Sequence, residues 1–524
     1  MRIAVVGGGP GGLFFATLIR RADPSVEVTV FERNRADDAF GFGVVFSDRT
    51  LAHIHEADPV LREALAAHGR HWQDIEVRLK GERIRCGGNG MAAIARRTLL
   101  GLMQSRAAGA GAVLRFATEV DLADLRGYDL VVAADGAGSR VRDALRLDST
   151  VDTATAKFIW FGTDYLFDGL TFVHERGPHG VFAVHGYPIS DAVSTFIVEC
   201  DEPSWRAAGL DGFDATQPPG PSDLHTRAYL ERLFADQIEG HRLLVNNSRW
   251  ASFRTRRTRR WYALAPVPVA LLGDAVHTAH FSVGSGTKMA MEDAIALSGA
   301  LLAHGFRAAE ALPAYEAAAR PSVAAIQDAA RPSLGWWERF GRYHDALPPW
   351  QFAYHFLTRS ITDARLGRRA PDFVRTSHDH WRASHGAAPL DSPLRLGPWT
   401  LPGRAVVVKP DGEHRALVEF PGGQLHLGQS TADDGLWTVA PGDESGLPAA
   451  QAALGAARPG LVAVHGGSAL TRGLLAEHAR LAYQIPALVV DDGLDRDRAV
   501  TAVLSGRTDL VGASADTVAS WRAA

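Results

Sequence analysis

The stretch GDAVHTAHFSVGSGTKMAMEDA, residues 273–294, sets Asp274, two histidines, three glycines and Lys288 where an apolar run gives way to a helical pattern. Small residues at such a junction let a ligand approach the backbone, and the carboxylate of Asp274 can accept hydrogen bonds from hydroxyl groups. A second cluster, Gly7-Gly8-Gly9-Pro10-Gly11-Gly12, has the spacing G-x-G-x-x-G, with Glu32 twenty positions beyond Gly12. In that pattern Gly7 permits a tight turn, Gly9 lets the backbone reach a pyrophosphate, and Gly12 packs helix against strand. Free N–H groups at the helix start, beside Pro10, hold phosphate oxygens, and Glu32 is placed for a ribose diol. Arg33 either flanks an adenine or is solvated. A third cluster, Asp135-Gly136, closes the apolar run in DLVVAADGAGSRVR, residues 129–142.

These groups need elements to hold them. RIAVV, LFFATLIRRA and VEVTVFER read as strand, helix and strand, the βαβ unit that the glycine spacing requires. Two further strands ending in aspartate and glycine point to more contacts on one extended cofactor, which favours FAD over NAD. Residues 157–200 alternate apolar and polar in turn-separated runs and predict an antiparallel sheet with an aromatic face. His185 and Tyr187 share a face of that sheet and are candidate substrate contacts, with a place in the sheet core or at its surface as the alternative. In FRTRRTRRW, residues 253–261, an extended chain points Arg254, Arg256 and Arg260 one way and Arg257 and Arg259 the other. From Met291 to about Val374 helical periodicity dominates, and Trp336-Trp337 reads as packing.

The three nucleotide clusters together resemble the FAD-dependent aromatic hydroxylases of the para-hydroxybenzoate hydroxylase type. GFGVVFSD at 41–48, GDAVHTAHFSVGSGTKMAMEDAIAL at 273–297 and RYHDALPPWQFAYHFLTRS at 342–360 are similar to the branch acting on salicylyl-CoA and anthraniloyl-CoA, over roughly residues 1–385. Thr-Ala-His-Phe-Ser-Val stands where the family usually has prolines after GDAxH. The resemblance implies that Gly7, Gly9, Pro10, Gly12, Glu32 and Arg33 hold the ADP half of FAD, that Asp135 and Gly136 lie near the pyrophosphate, and that Gly273 and Asp274 meet the ribityl chain. Val45, Gly284, Gly286 and Thr287 then lie against the flavin. The following helix aims its N-terminus at the flavin edge where reduction gathers negative charge, and Lys288 adds positive charge there. Arg96, or Arg97 with the register moved by one, faces the pyrophosphate. His280, Phe281 and Ser282 face the reactive edge as catalytic candidates, while His277 packs or caps.

The implied reaction has NADH or NADPH reducing FAD, O2 adding at flavin C4a, and the hydroperoxide delivering oxygen to an electron-rich ring. Salicylyl-CoA hydroxylated at C5 to gentisyl-CoA is the leading substrate, and Arg254 and Arg256 then dock the CoA phosphates or form a solvated strand edge. The alternatives are 4-hydroxybenzoyl-CoA, 2-aminobenzoyl-CoA, a free aromatic such as a kynurenine or tryptophan derivative, and an FAD-binding sensor without catalysis.

A formal net charge of −4 over 524 residues carries no polyanion-binding signature and argues against nucleic acid. Two cysteines build no disulfide framework, no run approaches the roughly 18 to 20 apolar residues of a membrane span, and MRIAVVGGGP lacks the apolar core of a secretory leader. A cytoplasmic protein without a metal site is expected, with a homodimer left open. The expected fold is α/β. A Rossmann-type, glutathione-reductase-like FAD domain (about 1–150 and 255–385) carries an antiparallel substrate sheet (about 151–254), followed by a linker at 386–404 and a small α/β domain at 405–524. That last part is similar to the closing strands of an old yellow enzyme barrel. Its about 120 residues fall short of the roughly 250 of an eightfold barrel, so a three-layer or open α/β remnant is expected, binding no FMN and serving for packing or dimerisation.

Overall fold

Apolar runs at Arg2–Val6, Leu130–Ala133 and Val269–Leu271 lie side by side in parallel, with Val6 opposite Ala133 and Ala133 opposite Leu271. They read as continuous apolar strands because helices such as Pro10–Ala22 and Gly286–Ala303 bury residues in the same core. Glu27–Phe31 and Val113–Arg115 extend the sheet on one side, and Tyr262–Ala263 on the other. One row of residues, Leu271, Ala133, Val6 and Phe31, therefore marks a common edge, and the glycine loop, the two glycine-aspartate clusters and Glu32 all begin within a few residues of it. This computed structural model describes residues 1–39, 41–47, 51–214, 220–281, 286–412, 415–421, 423–429 and 433–523. Two compact units divide the chain: Met1–Arg78 with Asn89–Glu338, and Leu79–Gly88 with Arg339–Ala524.

The first unit also holds an antiparallel sheet in which Leu243–Leu244, Ser149–Thr163, Ser194–Cys200, Gly180–Pro188 and Leu170–Gly177 run in that order, with Ala251–Thr258 alongside Ser149–Thr163. Its register separates two faces. Ile159, Phe161, Val173, Phe182, Val184, Phe196 and Val198 turn to a core shared with Leu230 and Phe234. The alternate positions, in the rows Phe158, Glu199, Ala183, His174 and Trp160, Ile197, His185, Phe172, form the opposite face. A small sheet of Gly43–Ser47, Met91–Ala95 and Arg70–Trp72 leads into the helix Arg96–Gly109.

The second unit departs from expectation in three ways. Residues 405–524 form a closed barrel rather than a three-layer or open remnant, its strands being Ala405–Pro410, Ala416–Phe420, Gly423–Gly428, Gly435–Val439, Val462–His465, Ala487–Val490 and Leu510–Ala513. Its first three strands pair antiparallel in succession, Pro410 with Ala416 and Phe420 with Gly423, and Ala405 pairs with Val511 to close the ring. Residues 386–404 are not a free linker: Leu394–Leu396 pairs with Trp399–Leu401 around Gly397, at φ +53°, and Leu396 and Leu401 join the barrel core. The third difference is the boundary, since the helices Phe340–Ala346, Pro349–Leu357 and Pro371–His385 belong to this unit. Buried polar pairs hold two of them: Tyr343 Oη donates to Glu477, His355 Nε2 lies 3.0 Å from Glu477 Oε2, and Gln351 donates to the Leu504 carbonyl at 3.0 Å. No helix among the described residues is long and apolar enough to cross a membrane.

Candidate active site

Gly7 stands at φ +109°, and a Cβ there would overlap the Ala134 carbonyl, so only glycine serves. A Cβ on Gly12 would overlap the Gly7 carbonyl, whereas one on Gly9 meets nothing within 4 Å. The loop is thus closed toward the protein and open at Gly9, the shape that a pyrophosphate fills. Glu32 Oε2 accepts from Gly8 N at 2.8 Å, and Oε1 from Asn34 N and Nδ2 at 2.8 and 2.7 Å. Its carboxylate clamps the loop and has about one of its four acceptor positions left over. Arg33 is exposed. Asp135 Oδ2 accepts from Arg140 N at 2.9 Å, while Oδ1 is buried with no hydrogen-bond partner among the described residues. Gly136 beside it, at φ +82°, is open. The open glycine loop on this sheet edge leaves backbone room for the phosphate half of FAD, whereas the orphaned Asp135 oxygen, an acceptor, calls for a hydroxyl or water donor and not for a phosphate.

At the neighbouring strand end, Asp293 of the helix Gly286–Ala303 ties the turn together: its Oδ2 accepts from Gly273 N at 2.8 Å and lies 2.7 Å from His277 Nε2. Burial pulls the His277 imidazolium down, but the Asp293 carboxylate, and then Asp274, more than offset it and raise its pKa. Asp274 is reached by solvent yet crowded by protein. Burial raises its carboxyl pKa against the pull of His277 and Arg96. Arg96 turns inward toward Asp274 and Tyr187, whereas Arg97 points out to Asp37 at 3.2 Å, which separates the two arginines left open by the sequence. Burial pushes the Tyr187 hydroxyl up to about 12, so it remains a donor. Gly286 and Thr287 open the helix, half-buried, and Val45 is half-buried in its strand. Lys288 adds no net charge at this edge, since Glu292 one turn later takes its ammonium at 2.6 Å. Ser282 and Gly284 lie outside the described residues.

His185 stands on the polar and aromatic face of the antiparallel sheet. Its Nε2 is 2.8 Å from Glu199 Oε1, and His280 Nε2 is 3.8 Å from Glu199 Oε2. Phe281 packs on both rings, at 5.5 Å from His185 and 4.4 Å from His280, and against Phe158 at 5.0 Å. Trp337 is indeed packed, but against His185 at 4.3 Å and His174 at 6.1 Å. Glu199, His174 and Trp337 are not among the sequence candidates. The available signal for Glu199 is a single acid in the otherwise apolar stretch FIVEC. Of the arginines, Arg257 pairs with Asp152 at 3.1 Å and Arg259 with Asp148 at 3.9 Å. Arg254 is exposed and Arg256 half-buried; burial, then Arg142 and Arg254, pull the Arg256 guanidinium down. Among the described residues no cluster could hold a metal ion.

Residues 1–330 match the family described as FAD binding domain. The chain is 55% identical, over 98% of its length and 99% of the relative's, to a salicyloyl-CoA 5-hydroxylase from Streptomyces sp. It is 37% identical to a 3-hydroxy-4-methyl-anthranilyl-[aryl-carrier protein] 5-monooxygenase from Streptosporangium sibiricum, covering 65% of this chain and 90% of that one. A crystal structure of p-nitrophenol 4-monooxygenase from Pseudomonas putida shares the fold, with a TM-score of 0.53 at 18% identity over 71% of this chain and 95% of that one. The glycine loop, Arg96 turned toward Asp274 and the family match agree: the chain belongs to the FAD binding domain family and is an FAD-dependent monooxygenase.

Proposed function

We propose that this enzyme hydroxylates salicylyl-CoA at C5 to gentisyl-CoA, with NADH or NADPH as reductant and O2 as co-substrate. The observation that carries the reading is the 55% identity to the Streptomyces hydroxylase, which runs through both units. Bound FAD supplies the activation of oxygen; the chain binds, orients and shields. Asp274 and Arg96 hold the cofactor's polar arm, and the face lined by Phe158, Phe172, Phe281 and Trp337 keeps water from the ring. Arg254 and Arg256 receive the CoA phosphates, because Arg257 and Arg259 already have carboxylate partners while Arg256 is crowded by like charge that an anion relieves. Two buried, unbridged cysteines suit a cytoplasmic setting. The barrel packs or dimerises and carries no FMN, its interior being filled by Val406, Val418, Leu425, Leu488 and Leu510.

The test follows NADH oxidation and product mass with salicylyl-CoA, salicylate, 4-hydroxybenzoyl-CoA and 2-aminobenzoyl-CoA, using protein shown by extraction to carry FAD and not FMN. Salicylyl-CoA is expected to stimulate oxidation and to gain one oxygen atom; stimulation by free salicylate alone overturns the thioester reading. Arg256→Ala is expected to raise KM for the thioester with kcat nearly unchanged, since contacts remote from the ring act equally in ground and transition states.

A further inference from the structure

Glu199 is 1% exposed, in a strand whose neighbours Val198 and Cys200 turn to the apolar core. A carboxylate in such surroundings is costly unless it is paired. Its two oxygens face two imidazoles from different elements: Oε1 lies 2.8 Å from His185 Nε2 on the adjacent strand, and Oε2 lies 3.8 Å from His280 Nε2 in the segment after Asp274. Phe172 at 5.0 Å and Trp337 at 4.3 Å fix the His185 ring; Phe253 at 4.9 Å and Phe281 at 4.4 Å fix that of His280. Among the described residues, the titratable groups on this face of the sheet include, besides these two histidines, Tyr187 two residues along from His185, Arg176 at the end of the Leu170–Gly177 strand and, behind Trp337, His174, whose ring stacks on the indole.

The geometry points to Glu199 as the positioning residue of a buried acid–base unit that takes the proton of the substrate's ring hydroxyl, an inference resting on the aromatic hydroxylation proposed above. An electrophile attacks C5 faster when the hydroxyl para to it is ionised. In the step, the ring O–H bond breaks, an imidazole nitrogen of His185 or His280 takes the proton, and the electron pair stays on the phenolate oxygen. No oxidant or reductant enters. The Glu199 carboxylate orients the imidazole and offsets the charge that it acquires, the arrangement of acid, histidine and hydroxyl known from hydrolases. Such a unit selects rings that bear an ionisable hydroxyl near the thioester and leaves rings without one unactivated.

Two titrations on FAD-loaded protein test this. In the first, imidazole resonances of His185 and His280, assigned from His185→Asn and His280→Asn, are followed against pH without substrate. Glu199→Gln is expected to lower the proton affinity of at least one imidazole tenfold or more; unchanged titration of both overturns the inference. In the second, the phenolate absorbance of bound salicylyl-CoA is followed against pH. The unmodified enzyme is expected to ionise the hydroxyl at lower pH than in free ligand, and Glu199→Gln to reverse this by tenfold or more in proton affinity; an unaltered phenolate curve in the variant overturns the inference. Unmodified enzyme that neither binds salicylyl-CoA nor oxidises NADH with it defeats the substrate reading instead, and the first titration still decides the role of Glu199. If Glu199→Gln loses FAD, Glu199→Asp, which keeps the charge on a shorter arm, goes through both titrations.

Discussion

At Asp274 the folded carboxyl pKa lies above its ordinary 3.8, burial outweighing the attraction of His277 and Arg96. A pKa raised by folding means that the ionised form costs stability at neutral pH, and a ligand offering hydroxyl donors offsets that cost. Asp274→Asn is therefore expected to leave the FAD-free protein at least as stable as the unmodified chain in thermal melts. FAD affinity should fall about 10- to 100-fold, the equivalent of about 1.5–3 kcal/mol for one charged hydrogen bond. An FAD-free variant that melts well below the unmodified chain makes Asp274 a structural residue. The turn at Gly7 was legible in the sequence because it depends on the local backbone, at the end of a strand. Glu199 was not, because what a lone carboxylate meets is decided by strand register and by a segment eighty residues away. Lys288 read as a free charge for a similar reason: its partner, Glu292, shows only when the helix is built.

Among the elements, the glycine loop separates a folding role from a binding role. Gly12→Ala drives a methyl into the Gly7 carbonyl and against Val5, and is expected to cost several kcal/mol and yield little folded protein. Gly9→Ala meets no protein atom within 4 Å, so the fold is expected to survive while FAD occupancy drops, as read by flavin absorbance per protein. Equal loss of stability in both variants removes the open cradle from the account. The βαβ unit and the antiparallel sheet could be read in advance because periodicity reports which face is buried. Barrel closure could not, since it turns on Ala405 pairing with Val511, and no local pattern records a partner a hundred residues off. The hairpin around Gly397 looked like a linker because proline and glycine mark turns and linkers alike.

For the molecule as a whole, each unit has its own core, and in the second a buried polar network substitutes for part of it. Burial, then Arg507, pull His355 down to about 4 from its ordinary 6.5, while Glu477 beside it is held below its usual value, against burial, by His355 and Arg507. Because the folded pKa of His355 is the lower one, its contribution is present above pH 6.5 and is lost as the pH falls toward 4, the unfolded chain taking the proton first. At about 1.4 kcal/mol per pH unit this removes about 3 kcal/mol, and Glu477 adds to the loss below its own ordinary range. Calorimetry between pH 7 and 4 is expected to show the transition of this unit falling, and His355→Gln to flatten the fall; an equal slope in the variant refutes it. The same unit includes Leu79–Gly88, where Lys80 donates to the Leu347 carbonyl at 2.9 Å and Gly88, at φ +69°, lies so close to the Arg369 carbonyl that a side chain would overlap it. On the ribosome this short piece emerges first and then waits for the 250 residues of Asn89–Glu338 to be made, roughly 12 to 50 s at about 5–20 residues per second. Leu79 and Cys86, buried in the finished protein, stay uncovered by their own unit throughout that interval, so a gene cut between codons 338 and 339 leaves one product with an orphaned ten-residue piece and the other without it.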